Sequence, residues 1–288
     1  MRVLVTGASG FVGRALVGRL IAAGHDVVAL VRDSTHDLAG ARLLVHRLGE
    51  DRNLELPSSL DAVAHLAQSR AYRAFPGDAD EMFRVNVVGT HTLLEATAAA
   101  SIGRFCVVSS GSVYEPFTGE PRKEAEVLEP QVYLGASKLA SEVIARPYGK
   151  LFPVSVLRLF GPYGPGQTGR LMPDLIRRVA TGKFVTLPLE GGGMSFAPTY
   201  VDDICDVIAT SLVEGWSGVF NVATPEVRTI QQVTLEIAKA IGKEAKFERR
   251  ELEAPYLVPD LTRLGEKYDL SRCRPFAAGI LATLAAGY

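Results

Sequence analysis

Short, strongly apolar runs rich in β-branched residues alternate along the chain with longer stretches in which apolar positions recur every three to four residues. That rhythm predicts βαβ units stacked into a parallel sheet. Strands are predicted at 2–6, 26–31, 41–47, 62–66, 104–109, 154–159 and 219–222, with helices at 11–23, 79–100, 134–145, 173–181, 202–214 and 230–241. The strand runs are continuously apolar rather than alternating, so helices should cover both sheet faces. Glycine and proline interrupt the rhythm between Gly161 and Gly193, where GPYGPGQTG and GGG occur. The expected organisation is a nucleotide-binding domain of 1–160 plus about 199–224, and a smaller α/β substrate lobe of about 161–198 plus 225–288.

The first strand leads directly into Gly7-Ala8-Ser9-Gly10-Phe11-Val12-Gly13, which opens the first helix. Gly7 permits a tight turn, Gly10 lets backbone approach a pyrophosphate, and Gly13 permits close helix packing. The free N–H groups of Phe11, Val12 and Gly13, with Ser9 beside them, then face the anion. A dinucleotide is the ligand this context predicts. At the end of the second strand stands Val31-Arg32-Asp33. Arg32 favours the 2′-phosphate of NADP and Asp33 favours NAD, so both cofactors stay open with NADP ahead.

The 31 basic and 32 acidic residues give a net charge of -1, which implies no electrostatic attraction to nucleic acid or to an anionic membrane. At this length, folding buries roughly 33,000 of about 45,000 Å². Cys106, Cys205 and Cys273 have no disulfide or metal spacing and suit reduced thiols in a cytoplasm. Only the three-residue apolar run Val3 to Val5 precedes Thr6 and Gly7, too short for a signal peptide. The apolar stretch 276–288 is too short to span a bilayer and reads as a terminal helix. His25, His36, His46, His65 and His91 are scattered, with His65 expected to pack at its strand end. The run 243–250, KEAKFERR, reads as a solvated edge.

Further motifs follow in order: Asp61-Ala62-Val63-Ala64-His65-Leu66-Ala67, Asn86-Val87-Val88-Gly89-Thr90, Ser109-Ser110-Gly111-Ser112-Val113-Tyr114, Tyr133 to Lys138, Arg158 to Gly164, and Tyr200-Val201-Asp202-Asp203-Ile204. Through them nearly the whole chain resembles the extended short-chain dehydrogenase/reductase family of nucleotide-sugar epimerases, dehydratases and 4-ketoreductases. The resemblance implies a doubly wound Rossmann sheet and hydride transfer between a nicotinamide and a sugar carbinol or ketone carbon. It implies that Ala67 lines the cofactor ribose, Asn86 holds the catalytic helix, and Ser110 holds the reacting oxygen. Lys138 would bind cofactor and lower the pKa of a tyrosine acid/base by its charge.

The family pattern is Tyr-x-x-x-Lys, whereas Leu134 stands four residues before Lys138 and Tyr133 stands five before. On a regular helix that offset turns Tyr133 about 100° from the expected direction. An irregular first turn would return it to the site. The alternatives are a site without this acid/base, or another donor such as Tyr114.

Gly111 and Ser112 replace the dehydratases' Asp-Glu pair, which disfavours dehydration and leaves 4-epimerisation or 4-keto reduction. Residues 194–199 carry no arginine for a diphosphate, so Arg170 or Arg228 is the candidate substitute. The resemblance also implies a homodimer through helices 79–100 and 134–145. The rival to an enzyme is a cofactor-binding sensor or scaffold with impaired catalysis.

Overall fold

The computed structural model describes residues 1–35, 37–38, 40–51, 53–57, 59–117 and 119–287. His36 and Tyr288, both within the sequence readings above, lie outside the described residues.

Strands β1 (Arg2–Thr6), β2 (Asp26–Val31), β3 (Arg42–Val45), β4 (Ala62–His65), β5 (Phe105–Ser110) and β6 (Val154–Leu159) form a seven-stranded sheet with Gly218–Val222. The order is 3-2-1-4-5-6, with Gly218–Val222 on the far edge. Every pairing from β3 to β6 is parallel. The order reverses direction beside β1, so the strand ends next to it open onto the crevice where doubly wound sheets bind ligands. Strand β3 is shorter than the expected 41–47, because it pairs only with β2, whose last residue Val31 faces Val45. Strand β5 runs one residue further than expected because Ser110 still pairs with Leu159.

The apolar runs become a core joining Leu4, Val28, Val63, Phe105, Val107, Val154 and Val156 of the sheet to Leu93 and Leu94 of a covering helix. Each such side chain contributes about 1.5–3 kcal/mol on burial. The expected helix 79–100 is divided into Ala79–Met82, a π-helical turn Phe83–Val88, and Gly89–Ala99. The physical reason is competition for the carbonyl of buried Asn86, which accepts from the hydroxyls of Thr90 and Ser141. A wide turn accommodates such extra acceptance.

The chain divides into two compact units. The first holds residues 1–116, 124–159 and 205–220, and the second holds 117–123, 160–204 and 221–288. The segment 205–220 of the first unit begins within the helix Val201–Glu214. In the second unit, Phe184–Pro188 pairs in parallel with Lys246–Arg250. Within the stretch read as a solvated edge, Lys246–Arg250 forms this half-exposed strand, held in part by a Thr186 hydroxyl donating to Glu248 at 2.7 Å. Helix Ile230–Ile241 starts with a capping box of Thr229 and Gln232 and stops at Gly242, whose φ of 71° no branched residue tolerates. Phe276–Ala285 forms a terminal helix. Among the described residues, no helix is long and apolar enough to cross a membrane.

Candidate active site

The glycine turn joins β1 to helix α1 (Phe11–Ala22). A Cβ on Gly13 would lie 2.1 Å from the Gly7 carbonyl oxygen, so only glycine lets the helix rest on its own turn. Gly10 is the N-cap and offers no side-chain cap, and no acidic residue occupies the first turn. Side chains therefore leave the helix N-terminus to an anion, which suits a pyrophosphate. Beyond β2, Arg32 is exposed. Asp33 bends back instead, accepting from the Thr35 backbone N–H at 3.1 Å and from its hydroxyl.

At the end of β4, His65 is buried between two threonines, Thr6 on Nδ1 at 2.7 Å and Thr90 on Nε2 at 2.8 Å. Burial, reinforced by the charge of Lys138, pushes its pKa down to about 3, which makes it a neutral structural link. The Ala67 N–H donates to the same Thr6 hydroxyl at 3.2 Å. Asn86 accepts from the Ser69 N–H and donates to the Ser137 hydroxyl, both at 2.9 Å. The Ser141 hydroxyl donates to the Asn86 carbonyl at 2.7 Å. Asn86 thereby ties the segment after β4 to the helix that carries Lys138.

Strand β5 ends in a 3₁₀ turn, Gly111–Tyr114. There Ser110 Oγ accepts from the Ser112 N–H at 3.2 Å and from the Ser112 hydroxyl at 3.0 Å. Those two bonds leave the Ser110 hydroxyl proton available to a further acceptor. The lysine helix, Tyr133–Ala145, packs onto this turn. A Cβ on Gly135 would sit 2.4 Å from the Ser112 carbonyl oxygen, which makes glycine the only residue allowing that approach.

Lys138 is 5% exposed and donates to the Val108 carbonyl at 2.9 Å. Burial pushes its pKa down to about 8, while the negative Glu142 opposes the shift. Glu142 is itself held by Arg158, which is 2% exposed: Nη2 meets Oε2 at 2.6 Å and Nε meets Oε1 at 3.0 Å. Ser109 donates to the same carboxylate. Arg158 Nη1 also donates to the Tyr114 hydroxyl at 2.7 Å and its guanidinium lies over the Tyr114 ring. Tyr114 is thus a buried part of this ion-pair network.

The first turn of the lysine helix is α-helical, with the Ala136 N–H bonded to the Val132 carbonyl at 3.0 Å. The irregular turn expected to bring Tyr133 back into register is not there, because Gly135 is clamped on the serine turn and Val132 supplies an ordinary extended cap. Leu134 keeps the position one turn before Lys138. The Tyr133 ring stacks on Phe75 instead, with centroids 5.5 Å apart.

In the second unit, Arg170 is the exposed N-cap residue of the helix Leu171–Ala180, and Arg228 is paired with Glu226 at 2.7 Å. Among the described residues, no cluster of histidine, cysteine or carboxylate side chains could hold a metal.

Two features escaped the sequence reading. The Arg158–Glu142 pair had a legible half, since an arginine inside the apolar run VSVLRL needs a buried anion. Glu115, immediately after the serine turn, has its Oε2 buried without a hydrogen-bond partner.

Residues 3–223 match the NAD dependent epimerase/dehydratase family. The chain is 32% identical to the low-salt glycan biosynthesis protein Agl12 of Haloferax volcanii, over 84% of this chain and 83% of that one. It is 30% identical to a UDP-glucose 4-epimerase of Yersinia pestis, over 93% and 91%. The crystal structure of Thermus thermophilus UDP-glucose 4-epimerase in complex with NAD superposes with a TM-score of 0.81, at 26% identity, covering 99% of this chain and 98% of that one. The seven-stranded sheet is the Rossmann-like sheet of the short-chain dehydrogenase/reductase fold, and the chain belongs to the NAD-dependent epimerase/dehydratase family.

Proposed function

We propose that this protein is a cytoplasmic, NADP(H)-dependent enzyme that moves hydride at a carbinol or ketone carbon of a nucleotide-activated sugar, with 4-keto reduction favoured over 4-epimerisation. The observations that carry this reading are the serine turn clamped against the lysine helix and a glycine turn left open for a dinucleotide. The cofactor supplies or accepts the hydride when bound. Gly7, Ser9, Gly10, Phe11, Val12 and Gly13 would hold its pyrophosphate, with Ala67, Asn86 and Lys138 around its ribose and nicotinamide end.

Ser110 donates its remaining proton to the reacting oxygen and so holds the developing alkoxide, as an oxyanion-stabilising hydroxyl does. Lys138 places a cation behind it. Arg32 accounts for NADP: the last residue of β2 is buried Val31, and Asp33 is spent on Thr35, so the exposed guanidinium meets the 2′-phosphate. Arg170 and Arg228, the latter paired with Glu226, are the two candidates for holding the substrate's diphosphate. Exposed Phe83 and Val143 supply apolar surface for a homodimer.

Binding of NADPH and NADH followed by protein fluorescence, then NADPH oxidation at 340 nm with UDP-, GDP- and dTDP-4-keto sugars, tests the proposal. Tight NADPH binding with turnover of at least one 4-keto sugar supports it. A second reading, a cofactor-binding sensor, draws on Leu134 and on Tyr133 stacked against Phe75. Nucleotide binding with neither reduction nor epimerisation of any sugar would select it.

A further inference from the structure

A buried chain of hydrogen bonds runs from the glycine turn to the lysine helix, and its direction is fixed atom by atom. Thr90 has one hydroxyl proton and gives it to the Asn86 carbonyl, which can only accept. The Thr90 oxygen, 2.8 Å from His65 Nε2, is then the acceptor of that pair, so Nε2 carries the ring proton. Burial and the charge of Lys138 keep the ring neutral, which leaves Nδ1 as an acceptor. The Thr6 hydroxyl, 2.7 Å away, donates to it. Thr6 Oγ in turn accepts from the Ala67 N–H at 3.2 Å. Donation therefore passes from Ala67 to Thr6, to His65, to Thr90 and to Asn86, and it permits one histidine tautomer.

Each end of this chain rests on an element of the candidate site. A Cβ on Gly7 would lie 2.8 Å from the Ala67 nitrogen, so the glycine turn is pressed against the peptide that Thr6 holds. The Gly7 carbonyl accepts from the Gly10 N–H at 2.9 Å and is the oxygen on which Gly13 rests. At the other end, the Asn86 carbonyl also accepts from Ser141 at 2.7 Å, and the Asn86 amide donates to Ser137 at 2.9 Å. Both serines belong to the lysine helix. Ser137, the neighbour of Lys138, donates to the Leu134 carbonyl at 2.9 Å.

We propose that His65, fixed as its Nε2–H tautomer between Thr6 and Thr90, is a positioning residue that couples the seat of the dinucleotide to the seat of Lys138. The proposal rests on the nucleotide-binding and hydride-transfer reading above. A nucleotide that settles on the glycine turn loads the Ala67 peptide and with it the Thr6 oxygen. The imidazole is a rigid plate bonded at both nitrogens, so it passes that load to Thr90 and on to the Asn86 carbonyl that Ser141 also holds. Reversing one link would set two hydrogens or two lone pairs face to face in a buried site, which keeps the chain from slipping. Linkage makes the coupling reciprocal: whatever displaces the lysine helix at Asn86 also changes nucleotide affinity.

The test joins spectroscopy to binding and kinetics. Long-range ¹H–¹⁵N correlation spectra of wild-type protein, assigned through the backbone, should show His65 wholly as the Nε2–H tautomer at pH 7, with both ring nitrogens shifting when NADPH is added. Thr90→Val keeps the side-chain shape and removes the hydroxyl, so the ring proton should move to Nδ1 and turn the Thr6 hydroxyl around. In that variant the NADPH Kd should rise and kcat with a 4-keto nucleotide sugar should fall, each by about tenfold, and Thr90→Ser should restore tautomer, affinity and rate together. Thr6→Val/Thr90→Val should bind NADPH no more weakly than the worse single variant, because both hydroxyls act through one ring. A wild-type His65 that is Nδ1–H or a mixture of tautomers, ring nitrogens unmoved by bound NADPH, or effects of the two threonine variants that simply add, overturns this proposal alone. Nucleotide binding without hydride transfer to any sugar overturns the hydride-transfer reading, and the spectra and Kd values still decide the coupling. A wild type that binds neither NADPH nor NADH overturns both.

Discussion

The glycine turn between β1 and α1 and the serine turn under the lysine helix are built by the same device. Each depends on a glycine, Gly13 or Gly135, whose absent side chain lets a helix rest on a carbonyl oxygen. They differ in what the device then presents. The glycine turn offers backbone N–H groups, which any sequence supplies once the geometry is right. The serine turn must offer particular side chains, and there the chain gathers Ser110, Lys138, Glu142 and Arg158 while Leu134, not a tyrosine, stands four residues before Lys138. The scaffold of a reactive site and its reactive group are therefore separable: the first is fixed by packing, the second by a single position on a helix.

Breaking the ion pair beneath the serine turn should have the largest effect. Arg158→Met leaves Glu142 charged and buried, so unfolding in urea should show a loss of about 3–5 kcal/mol, and the double variant Arg158→Met/Glu142→Leu should regain most of it. Nucleotide binding measured below the unfolding transition should change little, because the glycine turn does not share this pair.

Next comes the pH dependence of Lys138. Its pKa is about 8 in the folded protein and about 10.4 when unfolded, so between those values the unfolded chain binds more protons. Stability should then rise with pH across that window, by about 3 kcal/mol if the whole burial penalty is relieved. Below pH 8 the full penalty remains. Chemical denaturation of wild type and Lys138→Met at pH 7.5 and 10 should show the rise in the first and not in the second.

The two glycines sharpen the comparison further. Gly13→Ala and Gly135→Ala should each cost about 1–3 kcal/mol by overpacking. Their functional effects should part: Gly13→Ala weakens NADPH binding, whereas Gly135→Ala spares binding and lowers turnover by displacing the serine turn. Fluorescence titration and steady-state rates on the same samples separate them. The smallest effect belongs to Arg32→Ser, which should raise the NADPH Kd by about tenfold, equal to about 1.4 kcal/mol, and leave that for NADH nearly unchanged.

How much of this the sequence disclosed follows the same division. The apolar runs placed β1, β2 and β6 to the residue, because strands buried on both faces leave a continuous signal. The glycine turn was legible because its chemistry is local. The π-helical turn at Asn86 was not, since it depends on Thr90 and Ser141 competing for one carbonyl, and Ser141 comes from a distant helix. Glu142 as the partner of Arg158 was hidden for the same reason. The Lys246–Arg250 strand was masked by its charges, which line an edge whose backbone pairs with Phe184–Pro188. The position of Tyr133 turned on whether one helical turn would bend, and the contact at Gly135 decided that it does not.

The account stands or falls on hydride passing to a sugar carbon beside Ser110. The direct measurement is isotopic: NADPH deuterated at the transferable C4 position is incubated with a 4-keto nucleotide sugar, and the sugar product is examined by mass spectrometry and ²H NMR. The account predicts deuterium bonded to sugar C4, lost in Ser110→Ala. Bound NADPH that delivers no deuterium to any nucleotide sugar, or delivers it equally well without Ser110, would contradict it.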